Sequence, residues 1–320
     1  MKKLHNIGGG IMKRIFTKIS ILFTIILMLV GCSLPGLAET SKDTIKIGSL
    51  ATSESEIMAH ILAILIEKET DATTSQVTKL GSSIVQHQGM IRGDLDMTST
   101  RYTGTDIAGA LNMEPEKEPA KALEIVQEEF KKQFDQTWGE TYGFENSYSV
   151  AVTKEFAEEN DIETVSDLEP FADDLRFGVD NAWVNREGDG YKGFTETYFD
   201  FGDVFPMNIG LVYQAANSGN MDVVLAYSTD GRIKEFDLVV LEDDKYFFPP
   251  YDASPVINNE VLEQYPEIED IFKRLENQIS TEDMQELNYR ADVEKVNPKR
   301  VAEEFLEEHH YFSTDEEGVN

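Results

Sequence analysis

The sequence predicts an α/β protein of two lobes with mainly parallel sheets, and three observations carry that prediction. From Thr44 onward, short β-branched runs alternate with amphipathic helical stretches, the pattern of βα units rather than of a helical bundle or a sandwich. A second such set occupies about residues 150–247. The stretch Phe247-Phe248-Pro249-Pro250-Tyr251 then breaks the pattern, because consecutive prolines forbid both helix and interior strand.

Thr44 to Gly48 alternates, with Ile45 and Ile47 on one face, and reads as the first strand. Ser53-Glu54-Ser55-Glu56 reads as a capping box, and Ile57, Ile61, Ile64 and Leu65 follow at helical spacing. A second strand around Gln76 to Leu80 runs through Gly81-Ser82-Ser83 into a helix ending near Met90, and a third strand spans Leu95 to Thr98. That βαβαβ order implies a mainly parallel sheet, whose ligands bind beyond the carboxyl ends of the strands. Pro119 opens a long helix with Leu123, Val126, Phe130 and Phe134 on one face. In the second set, strands are expected at Tyr148 to Val152, Arg176 to Val179, Asp222 to Ala226 and Leu238 to Leu241, with a helix start at Val165-Ser166-Asp167-Leu168. After Tyr251 come helical stretches at Glu260 to Tyr265, Glu267 to Asn277, Thr281 to Tyr289 and from Asn297-Pro298 to Glu308. They have no sheet of their own and are expected to pack back on the first lobe. The expected organisation is therefore residues 44–149 plus 251–312 as lobe 1, residues 150–250 as lobe 2, and residues 313–320 as an acidic tail, with crossings near Tyr148 and Tyr251.

Composition removes several functional classes. The chain has 320 residues, 60 acidic and 28 basic side chains and a formal net charge of −32, with 41% apolar content, enough for a real core. So negative a surface repels phosphate backbones, which argues against nucleic-acid binding; small cations are drawn in instead. One cysteine, Cys32, permits neither an intramolecular disulfide nor a cysteine-built zinc site. Gly-x-Ser-x-Gly, His-Glu-x-x-His and Gly-Lys-Ser patterns are absent, and no metal or cofactor is called for. His309-His310 is better explained by the end of a terminal helix than by metal binding.

Lys13, Arg14 and Lys18 precede an apolar run from Ile19 to Val30, too short to span a bilayer but right for a signal-peptide core. Its end, Leu29-Val30-Gly31-Cys32, resembles the lipobox of bacterial lipoproteins. That resemblance implies cleavage of residues 1–31 and acylation of Cys32. Residues 32–43, without sustained periodicity, then serve as a tether. The body is expected on the outer face of the cytoplasmic membrane, held by a lipid anchor only, in a cell envelope of Gram-positive type.

Four tyrosines stand where a parallel α/β sheet places ligands. Tyr102 follows the third strand, Tyr148 and Tyr251 stand at the two crossings, and Tyr227 ends the strand before it. A quaternary ammonium head offers no N–H to a hydrogen-bond acceptor, but the negative faces of aromatic rings attract it at roughly 0.5–2 kcal/mol per ring. Several rings plus buried methyl groups suffice for the roughly −8 kcal/mol of a micromolar site. A polyamine receptor, which would pair carboxylates with rings, and an acidic surface lipoprotein without transport role stay open as alternatives on the residues alone.

At these residues the chain resembles the substrate-binding lipoproteins of ABC-type osmoprotectant uptake systems, the glycine betaine/carnitine/choline group. The segments that carry the likeness include Thr100-Arg101-Tyr102-Thr103-Gly104, Gly178-Val179-Asp180-Asn181, Tyr227-Ser228-Thr229-Asp230-Gly231-Arg232 and Phe247-Phe248-Pro249-Pro250-Tyr251. The resemblance implies a non-enzymatic, two-lobed periplasmic-binding-protein-like fold of type II. It implies a monomer that delivers its ligand to a membrane permease driven by a cytoplasmic ATPase. It also implies an aromatic cage at Tyr102, Tyr148, Tyr227 and Tyr251, with Thr105 meeting the polar tail; Asn181, by its place at a strand end in the second lobe, either lines the cleft or serves packing or helix capping. Thr105 falls where some choline-preferring relatives carry aspartate; threonine removes the repulsion of a ligand carboxylate, so zwitterions are included. Leu50 stands where close relatives often carry glutamine, which leaves Thr52 or Ser53 to meet a carboxylate.

Overall fold

The structure, a computed structural model, describes residues 44–185 and 189–311. The expected signal segment, Cys32 and its lipid, the tether and the acidic tail lie outside them. The first half runs β1 (Thr44–Leu50), α1 (Ser53–Glu69), β2 (Thr73–Leu80), α2 (Ser83–Arg92), β3 (Met97–Tyr102), α3 (Thr103–Ala108), α4 (Pro119–Phe134) and β4 (Gln136–Trp138). A second set follows: β5 (Tyr148–Thr153), α5 (Lys154–Asn160), a 3-10 helix (Val165–Asp174), β6 (Arg176–Asp180), α6 (Asn181–Val184), α7 (Tyr191–Thr197), β7 (Asp203–Met207), α8 (Ile209–Asn217), β8 (Val223–Tyr227), α9 (Arg232–Glu235) and β9 (Leu238–Val240). The chain then returns through β10 (Ala253–Asn258) to α10 (Asn259–Gln264), α11 (Glu267–Leu275), α12 (Thr281–Asp292) and α13 (Pro298–Glu308).

Among the described residues the strands form two five-stranded sheets of matching order, β2-β1-β3-β10-β4 and β7-β6-β8-β5-β9. In each, one strand opposes its neighbours: β10 runs antiparallel to β3 and β4, and β5 antiparallel to β8 and β9. These are the strands the chain enters directly after each crossing. Because they run against their sheets, their first residues lie beside the carboxyl ends of the parallel strands: Tyr148 is the register partner of Tyr227, and Ala253 that of Tyr102. The opposed direction is what brings the crossings to the ligand edge of both sheets.

Hydrophobic patterning explains the packing. Ile57, Ile61, Leu62 and Leu65 of α1 are fully buried in one cluster with Ile271, Leu287, Val301 and Phe305 of the terminal helices. At about 1.5–3 kcal/mol for each fully buried side chain, this stripe clamps α1 between the first sheet and α11 to α13. The second sheet has its own core, rich in rings: Phe177, Trp183, Phe194, Phe201 and Phe248.

Local details differ from the sequence reading for identifiable reasons. The N-cap of α1 is Thr52, whose hydroxyl accepts from the Ser55 amide at 3.3 Å, and Ser53 Oγ donates instead to Asp292. Strand β3 starts later than Leu95 and continues to Tyr102, carrying Thr98, Ser99, Thr100 and Arg101 completely buried. Its polarity hid it, since Ser99 donates to the Ser55 carbonyl, Thr100 pairs with Ser55 and Arg101 with Asp106. Strands β4, β7 and β10 escaped the reading altogether. Pro206 sits in β7, an edge strand, and Pro255 at a register shift of β10, the two places where a sheet tolerates proline.

Candidate ligand cleft

The carboxyl ends of three neighbouring parallel strands, Leu80, Leu50 and Tyr102, open onto one cavity of about 690 Å³. From the other lobe Tyr227, ending β8, and Tyr148, opening β5, face the same space, and Tyr251 of the second crossing joins them. All four tyrosines singled out in the sequence thus line one cleft, together with Thr105, Asn146, Thr52, Ser82 and Ser83. Among the described residues its lining holds no Asp, Glu, Lys or Arg. Asn181 is not part of it; that residue is exposed at the start of α6, and its carbonyl accepts from Asn185 at 3.5 Å.

The rings are held by their surroundings. Tyr148 and Tyr227 stack, centroids 4.9 Å apart and planes 22° off parallel, with hydroxyls 3.3 Å apart. The Tyr227 amide donates to the Tyr213 hydroxyl at 2.9 Å, and the Arg232 guanidinium, paired with Asp230, lies 4.2 Å over the Tyr213 ring. The Tyr-Ser-Thr-Asp-Gly-Arg motif is therefore anchored through Tyr213 at the Tyr227 backbone. Gly104 approaches Pro250 so closely that a Cβ there would stand 2.6 Å from its carbonyl oxygen. Thr103 and Gly104 also donate to the Asp252 and Pro250 carbonyls, so the turn bearing Tyr102 and Thr105 is stitched to the segment bearing Tyr251.

Two helix N-termini, those of α1 and α2, border the cleft through Thr52 and Ser82-Ser83, and each presents partial positive charge. Leu50 does line the cavity, and its amide is engaged by Ser55 Oγ. Of the two candidates to meet a carboxylate in its place, Thr52 faces the cavity and Ser53 does not.

Comparison with known proteins gives the family of the chain. Residues 43–308 match the family described as the substrate binding domain of ABC-type glycine betaine transport systems. The chain belongs to this family. It is 50% identical over 293 residues to the carnitine transport binding protein OpuCC of Listeria monocytogenes, covering 91% of this chain and 95% of that protein. It is 34% identical over 299 residues to the ergothioneine transport permease/ergothioneine binding protein EgtU of Helicobacter pylori, covering 92% of this chain and 53% of that longer one. A solved structure described as a glycine betaine/carnitine/choline ABC transporter matches with a TM-score of 0.82 at 52% identity, over 84% of this chain and 100% of the other. The fold is accordingly periplasmic-binding-protein-like, and a member of this family is a solute-binding component of an ABC-type transport system, not an enzyme.

In this family member several residues around the cleft went unnoticed in the sequence. Glu54, read as part of a capping box, is 2% exposed and accepts from the Tyr102 hydroxyl at 2.5 Å and from Asn146 Nδ2 at 3.0 Å. Burial first, and then the Glu54 carboxylate, raise the Tyr102 phenol well above its ordinary value and keep it a donor. Asn288 and Gln285 of α12 donate to the Thr229 and Ser228 carbonyls at 2.8 and 2.7 Å, joining a terminal helix to the loop after Tyr227. Abundant carboxylates and amides give such residues no local signal.

The two crossings pair with each other. The Asn146 amide donates to the Tyr251 carbonyl, the Ala253 amide to that of Phe144, and Glu145 bridges Asp252. Burial, and then the charges of Asp252 and Asp243, push the Glu145 carboxyl up to about 7, and burial raises Asp252 too. A carboxyl raised by folding binds its proton more tightly in the folded state, so its contribution to stability falls as pH rises from about 4.5 to about 7. Glu145→Gln should therefore match the wild type near pH 4.5 and exceed it by ~2–3 kcal/mol above pH 7. Urea unfolding of both proteins across that range checks this; parallel pH profiles would refute it.

Proposed function

We propose that this protein captures solutes with a quaternary ammonium head, glycine betaine, carnitine and choline among them, and passes them to the permease of an ABC importer driven by a cytoplasmic ATPase. In this reading it works as a monomer on the outer face of the cytoplasmic membrane, anchored through lipid on Cys32. Among the described residues no helix is long and apolar enough to cross a membrane. The observation that carries the reading is the convergence of Tyr102, Tyr148, Tyr227 and Tyr251, from both lobes and both crossings, on a cleft without a charged lining side chain. A trimethylammonium group needs ring faces and methyl contacts rather than acceptors. A polyamine needs carboxylates for its N–H groups, which this lining does not supply. Thr105, Thr52 and the two helix N-termini supply donors and positive potential for a carboxylate or hydroxyl tail.

Calorimetric titration of the purified protein with glycine betaine, carnitine and choline tests the proposal. Saturable binding of at least one, with a rise in melting temperature as mass action requires, is the expected result. No heat and no thermal shift with any of the three would sink it.

A further inference from the structure

We infer that Glu54 is the positioning and charge-setting residue of the cleft: buried behind Tyr102, it favours ligands of net positive charge and ties the two halves of the cage together. This deepens the quaternary-ammonium reading and rests on it. Glu54 lies in the first turn of the 17-residue helix α1, where the helix N-terminus favours a carboxylate. Three donors converge on its two oxygens: the Tyr102 hydroxyl and Asn146 Nδ2 on Oε1, and Asn288 Nδ2 at 3.5 Å from Oε2. Among the described residues no lysine, arginine or histidine forms an ion pair with it, so its charge is solvated by dipoles and not cancelled by a counter-ion.

Two consequences follow from that placement. Tyr102 spends its hydroxyl proton on a carboxylate, which fixes the ring and enriches its π face, so the ring attracts a cation more strongly than one bonded to water. The negative charge itself sits one ring away from the cleft in a low-dielectric interior, where it acts on a bound ligand with little screening. A ligand of charge +1 feels only attraction. A zwitterion gains at its head and loses at its carboxylate, so its net response is smaller.

The same carboxylate reaches three parts of the molecule. Tyr102 belongs to the first lobe and Asn146 to the first crossing, while Asn288 Nδ2 also donates at 2.8 Å to the Thr229 carbonyl, two residues after Tyr227. Gly231, in the same loop, packs so tightly on α12 that a Cβ would stand 2.4 Å from the Tyr289 amide nitrogen. The loop that carries one cage ring is thereby set relative to the ring that Glu54 holds.

The test uses Glu54→Gln in the purified protein, titrated calorimetrically with choline and with glycine betaine at one ionic strength. Choline affinity is expected to fall by about tenfold or more and glycine betaine affinity by less than about threefold, a change in ratio that general loosening of the site would not produce. Equal losses for the two ligands, or no loss, overturn the inference. So does a wild type that binds glycine betaine but no choline. Silence of the wild type toward choline, glycine betaine and carnitine alike overturns the quaternary-ammonium reading itself and this inference with it, whereas binding of carnitine alone leaves that reading standing and overturns only the inference, which separates the two failures. If Glu54→Gln does not fold, Tyr102→Phe takes its place, because it keeps the ring and removes only the link to the carboxylate. It should weaken choline severalfold, and an unchanged choline affinity overturns the inference.

Discussion

Asp106→Ala is expected to lower the unfolding free energy by about 3–5 kcal/mol, the cost of leaving a buried charge without its partner. Arg101 and Asp106 are both completely buried and meet through two bonds, Nε to Oδ2 at 2.8 Å and Nη2 to Oδ1. The guanidinium also lies 5.3 Å from the Phe130 ring centroid and 5.9 Å from that of Trp138, so it has no path to water. Its Nη1 already lacks a hydrogen-bond partner among the described residues. Removing Asp106 therefore strands a cation in an aromatic box. The pair brackets Tyr102 to Thr105, and the turn that carries both residues into the cleft depends on it. Urea unfolding should show a lower midpoint at unchanged slope. A loss under about 1 kcal/mol would show that the box, and not the ion pair, holds the turn.

Tyr227→Ala and Tyr251→Ala should each weaken binding of the quaternary ammonium ligand at least tenfold, about 1.4 kcal/mol. The cage reading requires this, because each ring contributes a π face and apolar contact that no neighbour replaces. Tyr227 is the more informative position. Its removal also unstacks Tyr148, while the bond from its backbone amide to the Tyr213 hydroxyl survives the substitution. Tyr227→Phe, which keeps the ring and its stacking, should retain most of the affinity. Retention of affinity in both alanine variants would instead favour a ligand recognised through N–H donors. Calorimetry with glycine betaine or carnitine, and a melting curve for each free variant, separates loss of binding from loss of fold.

Parts of this molecule were legible from residues alone because they depend on local rules. Periodicity located β1, α1, α4 and the strands β5, β6, β8 and β9 of the second set, and consecutive prolines located the second crossing. The four tyrosines were legible because strand ends can be read from alternation, and ligands of parallel sheets gather at those ends. Asn181 was placed by the same rule, but the side of the sheet end on which a residue lies is set by the twist and by its neighbours. Polarity misled the reading of β3, since a buried polar strand looks like a loop until its partners in α1 are known. Glu54 looked like an ordinary capping residue for the same reason.

The sequence by itself determined the alternation of strands and helices, the excess of surface acid, the single cysteine and the positions of the four rings. Each of these depends on composition or on residues a few places apart. Only the tertiary structure decided that β5 and β10 run against their sheets, that the crossings pair at Glu145 and Asp252, and that a buried carboxylate stands behind Tyr102. Those features join residues as far apart as Glu54 and Asn288. Contacts of that span arise when packing brings separate elements together, and no local pattern in the chain records them.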